Sequence, residues 1–527
     1  MNNRKMAAVS ATLLLFGAAG CQDLTVPNVN EPQTQQVLAR PADVEQLIVN
    51  SYLSWWDATS GKAAGAFDPG IYVQLQTMSF ENSAMAANFG MIERSRLPRA
   101  AINNNPADAF ASQLEGTWYG LYRSLKAASD GVRQIDGGVV IGTTANTMRA
   151  KTFAKFVQGL SHGALALTYD QAFVLDETTP LPSPGTPTPD LQPYSEVMEA
   201  ALGYLDEAIA LAGANTFTTP TGWINGVTLT NVQLAALARS YKARFRAEVA
   251  RNPAERAAVN WAAVVADVDA GRQTDFEIEF DDVNWRYTAH IYGSFGGAWH
   301  QSANQIIGMA DQSGAFQTWI NTPLASRDPF LIITPDQRFP QGATGAAQAA
   351  NPGEYLIQKG TSGHVRPDRG TWRWSFYRDN RFAHFYPDWS GFLPELTRAE
   401  MQLLKAEGLF RTGDAAGAAT IINTTRTTTG GMQAVSAGAP NPDCVPKLPD
   451  GTCGNFLEVL KWEKRLETWA SRYGAWFFDS RGWGDLPQGT IIHFPVPARE
   501  LLVLQLPVYN TGGVGLPGGA AQSTYGY

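Results

Sequence analysis

Residue types able to run a reaction are present in this chain, but their spacing argues against one. Gly293-Ser294-Phe295-Gly296 lacks the first glycine of a nucleophile elbow, because Tyr292 stands in its place. His290 and His300 have no Asp or Glu at ligand spacing, and neither a His-Glu-x-x-His helix nor a Gly-x-x-x-x-Gly-Lys-Ser/Thr phosphate loop occurs. A glycosidase needs two carboxylates facing a sugar from opposite sides. Asp281 and Asp282 are neighbours in the chain and read as a turn. The expectation is no catalytic residue, no metal and no cofactor. Distant carboxylates meeting in space keep a secreted glycan-degrading enzyme as an alternative.

Binding chemistry is better represented. The chain has 15 Trp, and several fall outside helical patterns. Trp285, Tyr287, Tyr292, Phe295 and Trp299 crowd one Gly-rich segment. Trp372, Trp374, Tyr377, Phe385, Tyr386 and Trp389 crowd another, interleaved with Arg366, Arg369, Arg373, Arg378 and Arg381. Flat aromatic faces suit the C–H faces of sugar rings, and Arg, Asn and Asp supply hydrogen bonds to hydroxyls. The competing reading is that these rings fill the junction between loops and helices. Trp285, Tyr287, Tyr292 and Trp299 are the first ligand-binding candidates, because the second cluster lies beside a helix that begins near Leu396. A polar stretch with Tyr72, Gln74, Gln76, Glu81, Asn82 and Asn88 is a further candidate, from which Asn82 and Asn88 are taken.

These segments hang on helices. Apolar residues recur every three to four positions in Pro41–Asp57, Asp108–Ile135, Met148–Phe173, Tyr194–Ala212, Asn231–Arg251 and Pro253–Ala270. Later, Leu396, Ala399, Leu403, Ala406 and Phe410 line one helix face, Gly413-Asp414 turns the chain, and Ala415, Ala418 and Ile422 line the next. The run Ala406 to Asp414 with Ala418 is similar to the helix–turn–helix of a tetratricopeptide repeat, whose small residues let helix backbones approach. No fixed period runs along the chain. From Gly271 to Phe392 helical periodicity fades; Asp275–Phe280 alternates like a short strand, and Gly342–Gly353 reads as an exposed loop. The predicted fold is mostly α, with tetratricopeptide-like helix pairs as a scaffold (about 41–270 and 393–484) and an irregular, loop-rich part (about 271–392) inserted in one domain, 41–527.

The N-terminus is read as an export signal. Arg4 and Lys5 precede the apolar Met6–Phe16, which is too short to span a bilayer, and small residues lead to Cys21. A small-residue run ending in cysteine resembles the lipobox of bacterial lipoproteins, in which the cysteine is acylated; an ordinary secretory signal cut nearby is the alternative. Residues 1–20 are then a signal peptide and 21–40 a polar tether. Formal charge is −8 with no Lys/Arg block, which argues against a nucleic-acid partner. Cys444 and Cys453 flank a short loop with two prolines and Asp450-Gly451, and in an oxidising compartment a local disulfide is expected, two free thiols being the alternative.

Three C-terminal stretches resemble the SusD/RagB family of bacterial outer-membrane lipoproteins. One runs from Glu395-Leu396-Thr397-Arg398-Ala399-Glu400 through Leu403-Leu404-Lys405-Ala406-Glu407 to Asn423-Thr424-Thr425-Arg426. Another joins Glu463-Lys464-Arg465 to Trp476-Phe477-Phe478-Asp479 and Arg481-Gly482-Trp483-Gly484. The last is Phe494-Pro495-Val496-Pro497-Ala498-Arg499-Glu500-Leu501. Ala475 departs from that family's pattern, in which Arg is common. The resemblance implies a scaffold of four tetratricopeptide-like helix pairs and a lipid-anchored protein at the outer membrane, at the cell surface. It implies capture of an oligosaccharide or a peptide and delivery to a SusC-like TonB-dependent β-barrel transporter. A helical-repeat assembly lipoprotein without a small ligand is a third reading.

Overall fold

The computed structural model describes residues 40–61, 70–85, 87, 90–181, 189–286, 300–360, 370–385, 388–471 and 473–527. Among them are eleven α-helices of nine residues or more. Four helix pairs follow one another. They are α1 (Pro41–Ser60) with α3 (Ala111–Asp136), and α4 (Thr144–Thr168) with α5 (Tyr194–Ala214). Next come α6 (Asn231–Glu248) with α7 (Trp261–Asp269), and α8 (Arg398–Arg411) with α9 (Ala415–Thr428). The short α2 (Gly70–Met78) leans on α1 and α3, while α10 (Phe456–Glu467) and α11 (Ala475–Trp483) pack against the later helices. The fold is therefore mostly α, an array of tetratricopeptide-like pairs.

Local chemistry explains the helix starts. Thr230 and Gln233 form a capping box on α6, Thr143 caps α4, Thr397 caps α8, Asp414 caps α9 and Asn455 caps α10. The pattern expected over Pro253–Ala270 is broken in two. Pro253–Ala258 ends at Val259, whose ψ of 139° leaves the helical region, and Asn260 caps α7 by accepting from the Ala263 N–H. Unequal helix lengths of this kind are why no sequence period is visible. At Gly408 an added Cβ would lie 2.7 Å from Val265 Cγ2, so only glycine lets α8 approach α7 this closely.

Among the described residues, sheet is confined to small antiparallel pairs. β2 (Phe276–Phe280) pairs with β6 (Gly391–Leu396), closing the base of the irregular excursion. Inside it, β4 (Leu356–Gln358) pairs with β5 (Tyr377–Asp379). The stretch expected as an exposed loop, Gly342–Gly353, instead holds a short helix, Gly345–Ala350, capped by Thr344. Gln348 anchors it by donating to the Ile332 carbonyl at 2.9 Å from a fully buried position. The structure joins Cys444 to Cys453 by a disulfide, and the Val445 carbonyl within that loop accepts from Arg426 at 3.1 Å.

Candidate functional site

One small sheet places the early polar candidates. Chain leaving α2 forms β1 (Asn82–Ala84), which pairs antiparallel with β3 (His300–Ser302) in the register Asn82↔Ser302, Ser83↔Gln301, Ala84↔His300. The early polar stretch is thereby set against His300–Ser302, although the two lie more than two hundred residues apart in the chain. Asn82 is buried in β1, and Tyr72, Gln74 and Gln76 are buried along α2. Tyr287, Tyr292, Trp299, Asn88 and Cys21 lie outside the described residues.

Trp285 stands at the other end of that segment. The Asp281 carboxylate accepts from the N–H groups of Val283, Asn284 and Trp285 at 2.8–2.9 Å, so this aspartate shapes a turn. Asp282 pairs with Arg286 at 2.5 Å, and Trp56 of α1 donates to the Arg286 carbonyl at 3.1 Å. The Trp285 ring is 7% exposed, with centroids 5.3 Å from Trp56 and 6.0 Å from Tyr52. It anchors the segment to the scaffold. In the second aromatic cluster Trp372, Tyr377 and Phe385 are likewise buried in the core.

Around the β1–β3 pair, neutral polar atoms accumulate in the interior. The amide of Gln76, the hydroxyls of Ser83 and Ser302, and the side-chain carbonyls of Gln301 and Asn304 make no hydrogen bond among the described residues. Gln301 spends its amide on the Gly360 carbonyl at 2.9 Å, and Asn304 on the Trp374 carbonyl at 2.7 Å. Burial pushes the Glu81 carboxyl well above the usual range, opposed by the Ala470 N–H and reinforced by Asp379. Burial also pushes Asp379 up to about 7 and His300 down to about 3. Acid and base alike are biased toward their neutral forms, because the surroundings penalise charge of either sign. Such a place offers hydrogen bonds to neutral hydroxyl and amide groups. Glu81 and Asp379 are each 1% exposed, so neither carboxyl reaches solvent. No cluster of three His, Cys, Asp or Glu suited to a metal occurs among the described residues.

The charged residues of the C-terminal stretches do different work. Arg244 binds Glu400 at 2.5 and 2.6 Å, and Arg256 binds Glu407 and Asp479 at 2.6 and 2.9 Å. Lys464 also reaches Asp479 at 2.8 Å, and Arg338 and Arg426 both reach Glu463. All these side chains are at or near zero exposure. Arg481 donates to the carbonyls of Leu167, Glu248, Ala250 and Ile492, taking up orphan acceptors where α4 and α6 end. These residues staple the helix pairs to α10 and α11. A further feature escaped sequence reading: Tyr119, Tyr122 and Phe173 line a cleft of about 430 Å³ beside α3. Its only signal was that Tyr119 and Tyr122 widen the aromatic stripe around the core residue Trp118.

No protein-family model matches this chain, and no curated protein matches it either. Solved structures do. A SusD-like protein from Bacteroides fragilis superposes with a TM-score of 0.58 at 14% identity, covering 91% of this chain and 98% of its own. A SusD-like carbohydrate binding protein from Bacteroides vulgatus gives 0.52 at 15% identity, covering 84% and 83%. Another of that description from Bacteroides fragilis gives 0.54 at 12% identity, covering 84% and 86%. The chain has the SusD-like fold over most of its length.

Proposed function

We propose that this chain is an exported nutrient-binding lipoprotein of the SusD/RagB kind. It captures an oligosaccharide at the β1–β3 junction and passes it to a SusC-like TonB-dependent transporter in the outer membrane. Cys21 carries the lipid anchor, residues 21–40 form the tether, and residues 41–527 act as one binding domain. The observation that carries this reading is the β1–β3 pairing, which gathers unpartnered, uncharged polar side chains of residues 76–83 and 301–304 in one place. A neutral, hydroxyl-rich ligand would satisfy those atoms, each of which costs about 1–3 kcal/mol when left bare. Two of the structural neighbours named above are described as carbohydrate binding, which agrees with this chemistry.

Titrating the purified chain with a panel of neutral oligosaccharides, while assaying for new reducing ends, tests the reading. Binding without cleavage is expected, and Ser83→Ala with Gln301→Leu should weaken it by about tenfold. Release of new reducing ends would replace capture by hydrolysis. Replacement of Cys21 by Ala should release the protein from membranes, and co-purification of a large β-barrel with the anchored form supports the transporter role.

A further inference from the structure

The cleft beside α3 shares no lining residue with the β1–β3 junction. Trp118, Tyr119 and Tyr122 of α3 form one wall, Phe173 and Leu175 the other, and Leu181, 57% exposed, stands at the lip. Its volume of about 430 Å³ lies within the range of small-molecule sites, roughly 300–1,000 Å³.

Three helices hold the second wall in place. The Tyr122 hydroxyl accepts from the Phe173 N–H at 2.7 Å and donates to the Phe173 carbonyl at 3.2 Å. His162 of α4 accepts from the Leu175 N–H at 3.2 Å. Arg133 of α3 donates to the carbonyls of Glu177, Thr179 and Asp176 at 2.8, 3.0 and 3.3 Å. Lys155 and Gln158 of α4 hold the Glu177 carboxylate at 2.6 and 2.8 Å, and Tyr204 of α5 donates to Asp176 at 3.0 Å. A wall fixed in this way has little left to order when a ligand enters.

Most rim charges are already paired, and the Glu500 carboxylate is engaged by the Tyr119 hydroxyl. Lys126 and Arg133 both bind Asp130, at 2.5 and 2.7 Å, and Asp176 is taken up by Tyr204, Thr178 and Thr179. Recognition therefore falls to the apolar walls, and these have a definite geometry. Trp118 meets Tyr122 edge-to-face at 5.0 Å and Phe173 at 6.2 Å, and Tyr122 meets Phe173 at 5.9 Å. One more ring continues that herringbone, because the edge of one aromatic system prefers the face of the next.

We propose that this cleft binds a neutral aromatic group, either as a free arene or as an aryl substituent on a larger molecule. It is a second site, independent of the reading given to the β1–β3 junction. The test is calorimetric titration of the full chain with 2-naphthol and with 4-methylumbelliferyl β-D-glucopyranoside, with methyl β-D-glucopyranoside as competitor. Both aromatic probes should bind, with affinity nearly unchanged from about 0.05 to 0.5 M salt, since the probes are neutral. Tyr119→Ala and Leu181→Arg should each weaken binding at least about fivefold. Leu181 is exposed, so its variant folds even where Tyr119→Ala does not. Tighter binding of the aryl glucoside than of naphthol supports an aryl group carried on a sugar, and the reverse supports a free arene. Failure of both probes, unchanged affinity in both variants, or full displacement by methyl glucoside overturns the proposal. So does binding of an amphipathic peptide where the arenes fail, which would make this face a protein contact.

Discussion

Changing Glu407 to Gln tests whether buried ion pairs hold the fourth helix pair to the rest of the molecule. Glu407 and Arg256 are both at zero exposure. The carboxylate accepts from Arg256 twice, at 2.6 and 3.0 Å, from Arg411 at 2.8 Å and from Trp483 at 3.1 Å. These charges hold the Glu407 carboxyl far below the usual carboxylate range, against the opposing effect of burial. Glutamine can keep only one acceptor there. Its amide would point donor hydrogens at Arg256, whose charge would then rest on Asp479, already shared with Lys464. Removing one partner of a buried pair costs about 3–5 kcal/mol, a large part of a total stability of roughly 5–15 kcal/mol. Urea unfolding followed by far-ultraviolet circular dichroism measures the loss. Replacing both partners, Glu407→Leu with Arg256→Met, removes both charges together and should recover most of it. A loss below about 1 kcal/mol in Glu407→Gln would refute the reasoning, as the pair would then contribute no more than a surface ion pair.

Other outcomes follow from packing, acidity and cross-linking. An added Cβ at Gly163 would lie 2.1 Å from the Phe245 ring, so Gly163→Ala should cost about 1–3 kcal/mol by thermal unfolding, and Phe245→Leu should relieve it. His162 is held neutral by burial, its pKa pushed down to about 4 from an ordinary 6.5. The folded state therefore binds fewer protons, and stability is lost as pH falls from 6.5 toward 4. About 2 kcal/mol of that loss is present at pH 5. Glu248, pushed up to about 8 by burial, and Asp379 act in the opposite direction, so the effect is read as a difference: His162→Gln should lose less stability between pH 7.5 and 5 than the parent chain. Parallel curves would discount the histidine. Reducing the Cys444–Cys453 disulfide, which closes a loop of sequence separation nine, should lower stability by about 2.5 kcal/mol in matched urea titrations with and without reductant.

Much of the scaffold is legible in the sequence because helix burial is periodic. Leu234, Leu237, Tyr241 and Phe245 step along one face of α6, and all four are buried. Caps are local too, so Asp414 marks the start of α9 as soon as the turn before it is seen. The break at Val259–Asn260 was not legible, since both halves keep the same apolar spacing and only the backbone angle separates them. The site is harder. Pairing of β1 with β3 depends on long-range register, and three-residue strands such as Asn82–Ala84 carry no period to read. Aromatic enrichment around Trp285 was visible, but enrichment does not separate a ring that meets ligand from one that, like Trp285, packs on Trp56. Beyond the aromatic stripe around Trp118, the α3 cleft left no mark in the sequence, because its second wall, residues 173–181, is positioned by side chains from three different helices.

The central claim is capture of a neutral oligosaccharide at the β1–β3 junction, and equilibrium binding to paired ligands tests it most directly. Calorimetry with a neutral oligosaccharide that the chain binds, beside the same backbone bearing uronic acid units, should give saturable binding of the neutral ligand alone. Ser83→Ala with Gln301→Leu should weaken that binding about tenfold in the folded fraction. Failure of every neutral oligosaccharide to bind, or full affinity retained in the double variant, would contradict the account.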